Sequence, residues 1–291
     1  MKKYLVSFAT PDYYKSQRRL HKSALNYGID ECISCTMKDI KRSDFYRKNK
    51  LILDQERGVG YWLWKPFIIL DTLHKVDEGD IVMYSDSGAE VIGDIQPLID
   101  ICQAKNGLVF FQVHNQDGTD GGVHLNRKWI KRDCFVLMGA DYEKFYTSGQ
   151  VAGSPQLYVK DQTNIDFVKE WLSYCEDPRI LTDQPNTCGL ENLPEFIEHR
   201  HDQAVLSILT RKYEIEIFRD PSQFGAHPRI NGLESSKQTS RRVGSPQKTY
   251  ENSPYDTLFY LHRKKNFSLV HKLRNLVNRL TSKKPRIMSP Q

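Results

Sequence analysis

Apolar and polar positions alternate in blocks through the first third of the chain, and the blocks predict strands and helices in turn. Lys3 to Ala9 reads as a first strand closing at Phe8-Ala9-Thr10, and Tyr13 to Tyr27 as a helix with Gly28 at its C-terminal end. Cys32 to Thr36 predicts a second strand. Asp39 to Glu56 is polar and helical in part, and Trp62 to Leu73 is apolar on a helical period, with Pro66 suited to the first turn. Ile81-Val-Met-Tyr84 is a short apolar run that ends in the turn residues Asp86-Ser87-Gly88, the pattern of a buried strand. Pro97 to Ala104 then reads as helix and Gly107 to Val113 as strand. Such alternation argues for a parallel α/β sheet.

Beyond this point the signals are sparser. Asn115 to Val123, rich in Gly, Asp and Asn, predicts an exposed loop. Val159 to Tyr174 and His199 to Lys212 predict helices, and Tyr213 to Phe218 a short strand. Gly232 to Pro254 is nearly devoid of apolar residues and reads as a mobile loop. The expected organisation is therefore a body at 1–231, a linker at 232–254 and a distinct C-terminal segment at 255–291. In that last segment Phe267, Leu269, Val270, Leu273, Leu276, Val277 and Leu280 share one helical face, and the other face is basic.

Charge sharpens the reading of that segment. The chain of 291 residues has a net charge of +6, yet from Thr257 onward there are nine Lys or Arg and no acid. Without those nine the remainder is −3, a slightly acidic body with a basic tail. A basic amphipathic helix at 263–286 fits an anionic membrane surface. Docking on the chain's own core and contact with a partner protein are the other readings. A nucleic-acid groove is not expected, because the basic charge is not spread over a folded surface. No run reaches the ~18 apolar residues of a spanning helix. Met1-Lys-Lys-Tyr-Leu-Val-Ser-Phe8 reads as a strand, not a signal peptide. The expected location is cytoplasmic, peripheral at the inner membrane face. The six cysteines are scattered; Cys32-Ile-Ser-Cys35 has no second pair and reads as ordinary thiols.

Chemistry concentrates in two places. Ligands of open α/β sheets bind outside the carboxyl ends of the strands, which puts Asp86 at the mouth of a cleft. A carboxylate there suits Mg²⁺ or Mn²⁺ carrying a diphosphate. The competing reading is a plain strand-end turn. The second place is His199-Arg-His-Asp-Gln203, which opens a helix whose N-terminus favours anions. His201 and Asp202 suit metal binding, sugar-hydroxyl orientation or proton transfer, and Asp202 also suits a helix cap. Trp62 and Trp64 read either as core or as stacking platforms. Lys65 reads as a phosphate ligand or a solvated lysine. Lys131, within Trp129-Ile-Lys-Arg-Asp133, suits a diphosphate or an acceptor. Gln150-Val-Ala-Gly-Ser154 offers close approach to the backbone, and Asp183 falls on the acceptor side or in a turn.

The order Gly-Tyr-Trp-Leu-Trp-Lys-Pro66, Tyr-Ser-Asp-Ser-Gly88, His-Arg-His-Asp-Gln203 resembles bacterial and viral glycosyltransferases of the GT-A (nucleotide-diphospho-sugar transferase) fold, over roughly Lys3 to Gly225. The resemblance implies a Rossmann-like, mostly parallel sheet flanked by helices. It implies transfer of a hexose from a nucleotide-diphosphate sugar, with UDP as the nucleotide, to a glycan or lipid-linked acceptor. Phe8, Ala9, Thr10, Trp64, Lys65, Asp86, Ser87 and Lys131 would hold the donor. Asp202 and Gln203, with His201, would carry the chemistry, and the Asp-Gln pair resembles that of retaining enzymes. Tyr84–Gly88 is similar to the Asp-x-Asp region that binds a divalent cation, but Gly88 stands where the second acid belongs. A later histidine would complete the ligand set; His201, His227 and His262 are the candidates, and His262 is carried forward with Asp86. The alternative enzyme is a nucleotidyltransferase on a similar sheet, which would want a Gly-rich, basic loop after strand one; Phe8-Ala-Thr-Pro-Asp12 is neither.

Overall fold

The computed structural model describes residues 1–114, 119–225, 251–263 and 265. Six strands form one sheet: β1 (Lys3–Phe8), β2 (Glu31–Cys35), β3 (Ile81–Tyr84), β5 (Leu108–Phe111), β6 (Gln156–Val159) and β7 (Ile217–Phe218); β4 (Ala89–Val91) pairs separately with β8 (Phe259–Leu261). The order across the sheet is β2-β1-β3-β6-β5-β7, and β6 alone runs against its neighbours. This is the mostly parallel, helix-flanked α/β sheet that the alternating pattern predicts.

The unbroken apolar runs Ile81–Tyr84 and Leu108–Phe111 follow from burial on both faces. Val6, Val82, Tyr84, Phe110 and Tyr158 project to one side, where the helices Trp64–Leu73, Gln162–Cys175 and His201–Lys212 pack. Leu5, Met83, Val109, Phe111 and Leu157 project to the other, against Tyr14–Asn26 and Gln96–Ala104. Each face of the sheet therefore has its own core, and neither face is left to solvent.

Three expectations are corrected. Gln156–Val159 is a strand, and the helix expected from Val159 begins at Gln162. Asp161 separates the two by capping the helix, its carboxylate accepting from the Asn164 N–H at 2.7 Å. Four apolar-rich residues beside a longer helical period are easily absorbed into it. The helix expected from Trp62 begins at Trp64. Ahead of it Gly58, Val59, Gly60, Tyr61 and Trp62 all have positive φ (57°, 55°, 89°, 53° and 59°), a single left-handed turn. Its bonds run from Tyr61 N–H to Arg57 O at 2.7 Å and from Trp62 N–H to Gly58 O at 3.3 Å. A left-handed non-glycine residue costs roughly 1–2 kcal/mol, so the two glycines lighten the turn. They also make room for it. A Cβ on Gly58 would lie 2.3 Å from the Trp62 ring, and one on Gly60 would lie 2.6 Å from the Leu53 backbone.

The third correction concerns the C-terminal boundary. Residues 251–263 rejoin the body: Tyr255, Leu258 and Phe259 are buried in the second core, and β8 pairs with β4 through Phe259 and Val91. The body thus extends beyond 231. Residues 226–250 and, apart from Lys265, the amphipathic stretch from Lys264 to Gln291 lie outside the described residues, and His227 is among them.

Candidate active site

The topology brings the predicted segments to one edge of the sheet. Parallel pairing of Val6 with Tyr84 sets Phe8-Ala9-Thr10 beside Ser85-Asp86. Because β6 is reversed, its first residues arrive at the same edge, where Gln156 pairs with Tyr84. The Asp86 N–H donates to Ser154 Oγ at 2.9 Å, and Ser87 Oγ donates to the Phe8 carbonyl at 2.6 Å. Two strand-end loops and the loop before β6 are thereby tied together. Above them opens a cavity of about 960 Å³, a size suited to a drug-sized or nucleotide-sized ligand.

Phe8, Ala9, Thr10, Trp64, Lys65, Asp86, Ser87, His201, Asp202 and Gln203 all line this cavity. Lys131 and His262 do not. Lys131 is buried in the wall, with its ammonium donating to the Gln184 carbonyl at 2.6 Å and its N–H donating to His199 Nδ1 at 3.3 Å. It supports the loop that carries His199 and is not placed to meet a diphosphate. His262 is buried between Leu261 and Arg263, and those two neighbours line the cavity instead.

The floor of the cavity holds an ion pair. Lys65 Nζ lies 2.7 Å from Asp202 Oδ2, and both residues are about as buried as core leucines, at 3% exposure each. The expected solvated lysine and the expected helix cap are therefore excluded. The helix His201–Lys212 begins after Arg200 without a side-chain cap. Burial opposes the Lys65 charge, but Asp202 and Asp86 outweigh it and hold the ammonium above its ordinary pKa. Burial pushes the Asp202 carboxyl up to about 6, against the downward pull of Lys65. Trp171 Nε1 donates to the Asp202 carbonyl at 3.0 Å and fixes the helix start.

Asp86 is exposed to solvent, near enough for its charge to act on both Lys65 and Asp202. It accepts from the Tyr84 hydroxyl at 2.5 Å, and the Lys65 ammonium sits 5.3 Å from the centre of the Tyr84 ring. Trp64 is 4% exposed, stacks on Phe8 at 4.0 Å and 21°, and donates from Nε1 to the Gly58 carbonyl at 3.0 Å. It is a core residue with one edge on the cavity.

Gln203 is oriented by a ladder of amides. Asn126 Nδ2 donates to the Phe145 carbonyl at 3.0 Å, which leaves Asn126 Oδ1 to accept from Gln150 Nε2 at 2.8 Å. Gln150 Oε1 then accepts from Gln203 Nε2 at 3.0 Å. The remaining Gln203 oxygen faces Gly153, where a Cβ would sit 3.6 Å from it and 3.1 Å from Lys65 Nζ. Any side chain at Gly153 would fill the space between Gln203 and Lys65.

His201 takes a left-handed φ of 52° at the helix start. Its Nδ1–H donates to the Leu181 carbonyl at 2.9 Å, leaving Nε2 as the acceptor, 3.9 Å from Asp183. Burial lowers its pKa, so the ring is neutral at pH 7. The left-handed turn at 58–62 serves this ring, placing Trp62 against it at 5.6 Å and 22° and Tyr61 at 4.9 Å.

Other cavity residues were not singled out by sequence reasoning: Arg57, His114, His124, Arg200, Phe224 and Arg263. Arg200 lies inside the His-Arg-His motif and was legible from it. Arg263 was counted with the basic tail, and nothing local separates it from the other tail charges. Trp129 stacks on His124 at 4.8 Å and takes the Arg200 guanidinium at 4.3 Å from its ring centre.

The fit of a divalent cation can be tested on the donor set. Among the described residues no group of three His, Cys, Asp or Glu is placed to hold a metal ion. A Cβ on Gly88 would stand 3.1 Å from the Arg263 Cα, so the backbone of residue 263 takes the space a second carboxylate would need. Asp202, the other cavity carboxylate near Asp86, is already held by Lys65. Of the remaining cavity carboxylates, Asp12 is paired with Lys265 and Asp220 is buried against the Ser222 N–H, and none joins Asp86 in a ligand set. The described residues do not fit the expected metal site.

No family model matches the chain, and no curated protein matches it in sequence. Among solved structures it is similar to mouse xyloside xylosyltransferase 1 in its apo form, at 9% identity and a TM-score of 0.43, over 89% of this chain and 96% of that one. It is also similar to the apo form of the glycosyltransferase GlyE of Streptococcus pneumoniae TIGR4, at 15% identity and a TM-score of 0.38. That match covers 92% of this chain and 55% of GlyE.

Proposed function

We propose that the protein is a glycosyltransferase that moves a hexose from a nucleoside-diphosphate sugar, a UDP-sugar by the sequence resemblance, to a hydroxyl of a glycan or lipid-linked acceptor. The observation that carries this reading is the convergence of Asp86, at the end of β3, and Asp202-Gln203, at the start of a helix, on one cavity with Lys65 between them. In the reaction the bond between the anomeric carbon and the diphosphate oxygen breaks. A bond to the acceptor oxygen forms, and the acceptor proton passes to the departing diphosphate oxygen. Negative charge builds on the departing diphosphate, and a fixed ammonium in a water-poor floor stabilises such charge more than it would in water.

Asp202 is poorly placed as the base for the acceptor, because one of its oxygens is committed to Lys65. Its role in this proposal is electrostatic, beside the anomeric carbon, with the free Gln203 oxygen on the same side. By the resemblance of the Asp-Gln pair, the configuration would be retained. The acceptor would approach from the side of His201, Asp183 and Trp62. The expected contact of 263–286 with anionic lipid stays part of the proposal, since it would bring the enzyme to lipid-linked acceptors. Among the described residues no helix is long and apolar enough to cross a membrane.

The test is release of nucleoside diphosphate and formation of glycoside from a panel of nucleotide sugars and acceptors, with Mn²⁺ and Mg²⁺ supplied. Wild type should turn over one donor. Asp86→Asn and Asp202→Asn should each lose on the order of a hundredfold or more, as expected for groups that stabilise the transition state. Turnover by the variants at the wild-type rate, or none by wild type with any donor, would overturn the reading.

A further inference from the structure

Gly88 leaves no second carboxylate, and the same contact that forbids one brings in a cation. Arg263 follows β8, its N–H donates to the Gly88 carbonyl at 2.9 Å, and its φ is 51°. The residue is exposed and lines the cavity, with its guanidinium 4.7 Å from the centre of the Phe224 ring.

Arg263 differs from the other cavity cations in what it is paired with. Lys65 is held by Asp202, Lys265 by Asp12 at 2.8 Å, Arg57 by Asp183 at 3.0 Å and Arg200 by Glu198 at 2.9 Å. Arg263 forms no ion pair with an acid among the described residues. Its charge acts on Asp220, which is buried on the same cavity and accepts from the Ser222 N–H at 2.7 Å. A planar guanidinium with several donors and no ion-pair partner is suited to a bidentate phosphate contact.

Resting on the donor proposed above, we infer that its diphosphate is bound by protein cations, Arg263 at the rim and Lys65 at the floor, and that no divalent metal ion is needed for donor binding. Asp86 accepts from Tyr84 and, with Asp202, keeps Lys65 charged. The Arg200 environment agrees with this arrangement. Burial lowers its pKa, Glu198 opposes that, and the like charges of Arg263 and Arg57 add to the lowering. Three guanidinium groups therefore crowd one mouth of the cavity, a field that attracts a doubly charged anion.

The experiment is calorimetric titration of the full chain with UDP, GDP and CDP, once in EDTA and once in Mn²⁺, using wild type, Arg263→Ala and Arg263→Lys. Ligand-free unfolding midpoints confirm that the variants fold. One nucleoside diphosphate should bind in EDTA with a Kd within about threefold of its value in Mn²⁺. Arg263→Ala should weaken that binding by about tenfold to a hundredfold, the range of a charge-assisted contact, and Arg263→Lys by less. Binding seen only with Mn²⁺ would overturn this inference and leave the proposed function standing. Wild-type affinity in Arg263→Ala would overturn the role of Arg263. Absence of binding in both buffers would overturn the proposed function along with it.

Discussion

Asp86 and Asp202 are the same residue type on the same cavity, yet they occupy opposite physical regimes. Asp86 ends a strand, faces solvent and accepts from a tyrosine hydroxyl. Asp202 is buried at a helix start and touches a buried ammonium. An exposed carboxylate costs the fold little, so it is kept or lost according to what ligand it meets. A buried one is bound up with stability, because removing its partner strands a charge in a medium that solvates it poorly. One aspartate can therefore be probed as a ligand group, while the other must be probed together with Lys65.

The comparison breaks most sharply at Lys65. Lys65→Met should destabilise the protein by about 3–5 kcal/mol, the range seen when one member of a buried pair is removed. Lys65→Met with Asp202→Leu should recover most of that. Urea unfolding reads both; equal stabilities for the single and double variants would mean that the pair is not coupled as described.

A smaller effect comes from pH. The Asp202 carboxyl titrates near 3.8 in an unfolded chain and near 6 in the folded one. Between those values the folded state keeps a proton that the unfolded state releases. The contribution to stability is therefore full below the lower value and is lost as pH rises through the higher one. Urea midpoints measured from about pH 4 to about pH 7 should carry this downward component in wild type, on the order of 3 kcal/mol at most, and lose it in Asp202→Asn. The activity of the proposed transferase should fall below about pH 6 as Asp202 protonates. Identical pH slopes for the two proteins would show that Asp202 does not titrate in this window.

The smallest effect belongs to Asp86. Tyr84→Phe removes its hydroxyl partner and should cost about 1 kcal/mol or less, because an exposed carboxylate regains water. The change should instead appear in nucleotide affinity, read by the same titrations. A loss of stability as large as that of Lys65→Met would place Asp86 in the same regime as Asp202 and erase the contrast.

Much of the fold was legible locally. The runs expected at Lys3–Ala9 and Gly107–Val113 hold the strands Lys3–Phe8 and Leu108–Phe111, and Ile81–Tyr84 is a strand throughout, because nothing but a doubly covered sheet buries such apolar continuity; the Asp-Ser-Gly turn places a carboxylate at a strand end. Helix boundaries were less legible. The left-handed turn at 58–62 has no periodicity of its own, and its two glycines read only as breakers until Trp62 and Leu53 are seen against them. In the site, Asp86, Lys65 and Asp202-Gln203 were found because each is polar within or beside an apolar block.

The sequence by itself determined the strand and helix alternation, the placing of Asp86 at a sheet edge and the acidic body with its basic tail, since these depend on periodicity, turn chemistry and composition. Only the tertiary structure decided that Lys65 pairs with Asp202, that Lys131 and His262 stay outside the cavity, and that Arg263 comes to rest on Gly88. Those outcomes depend on which distant segments share a face: Arg263 lies across the intervening chain from Gly88, and its place is set by the pairing of β8 with β4. Local pattern carries no record of such pairing, because the free energy that selects it comes from surfaces buried between segments and not from any segment alone.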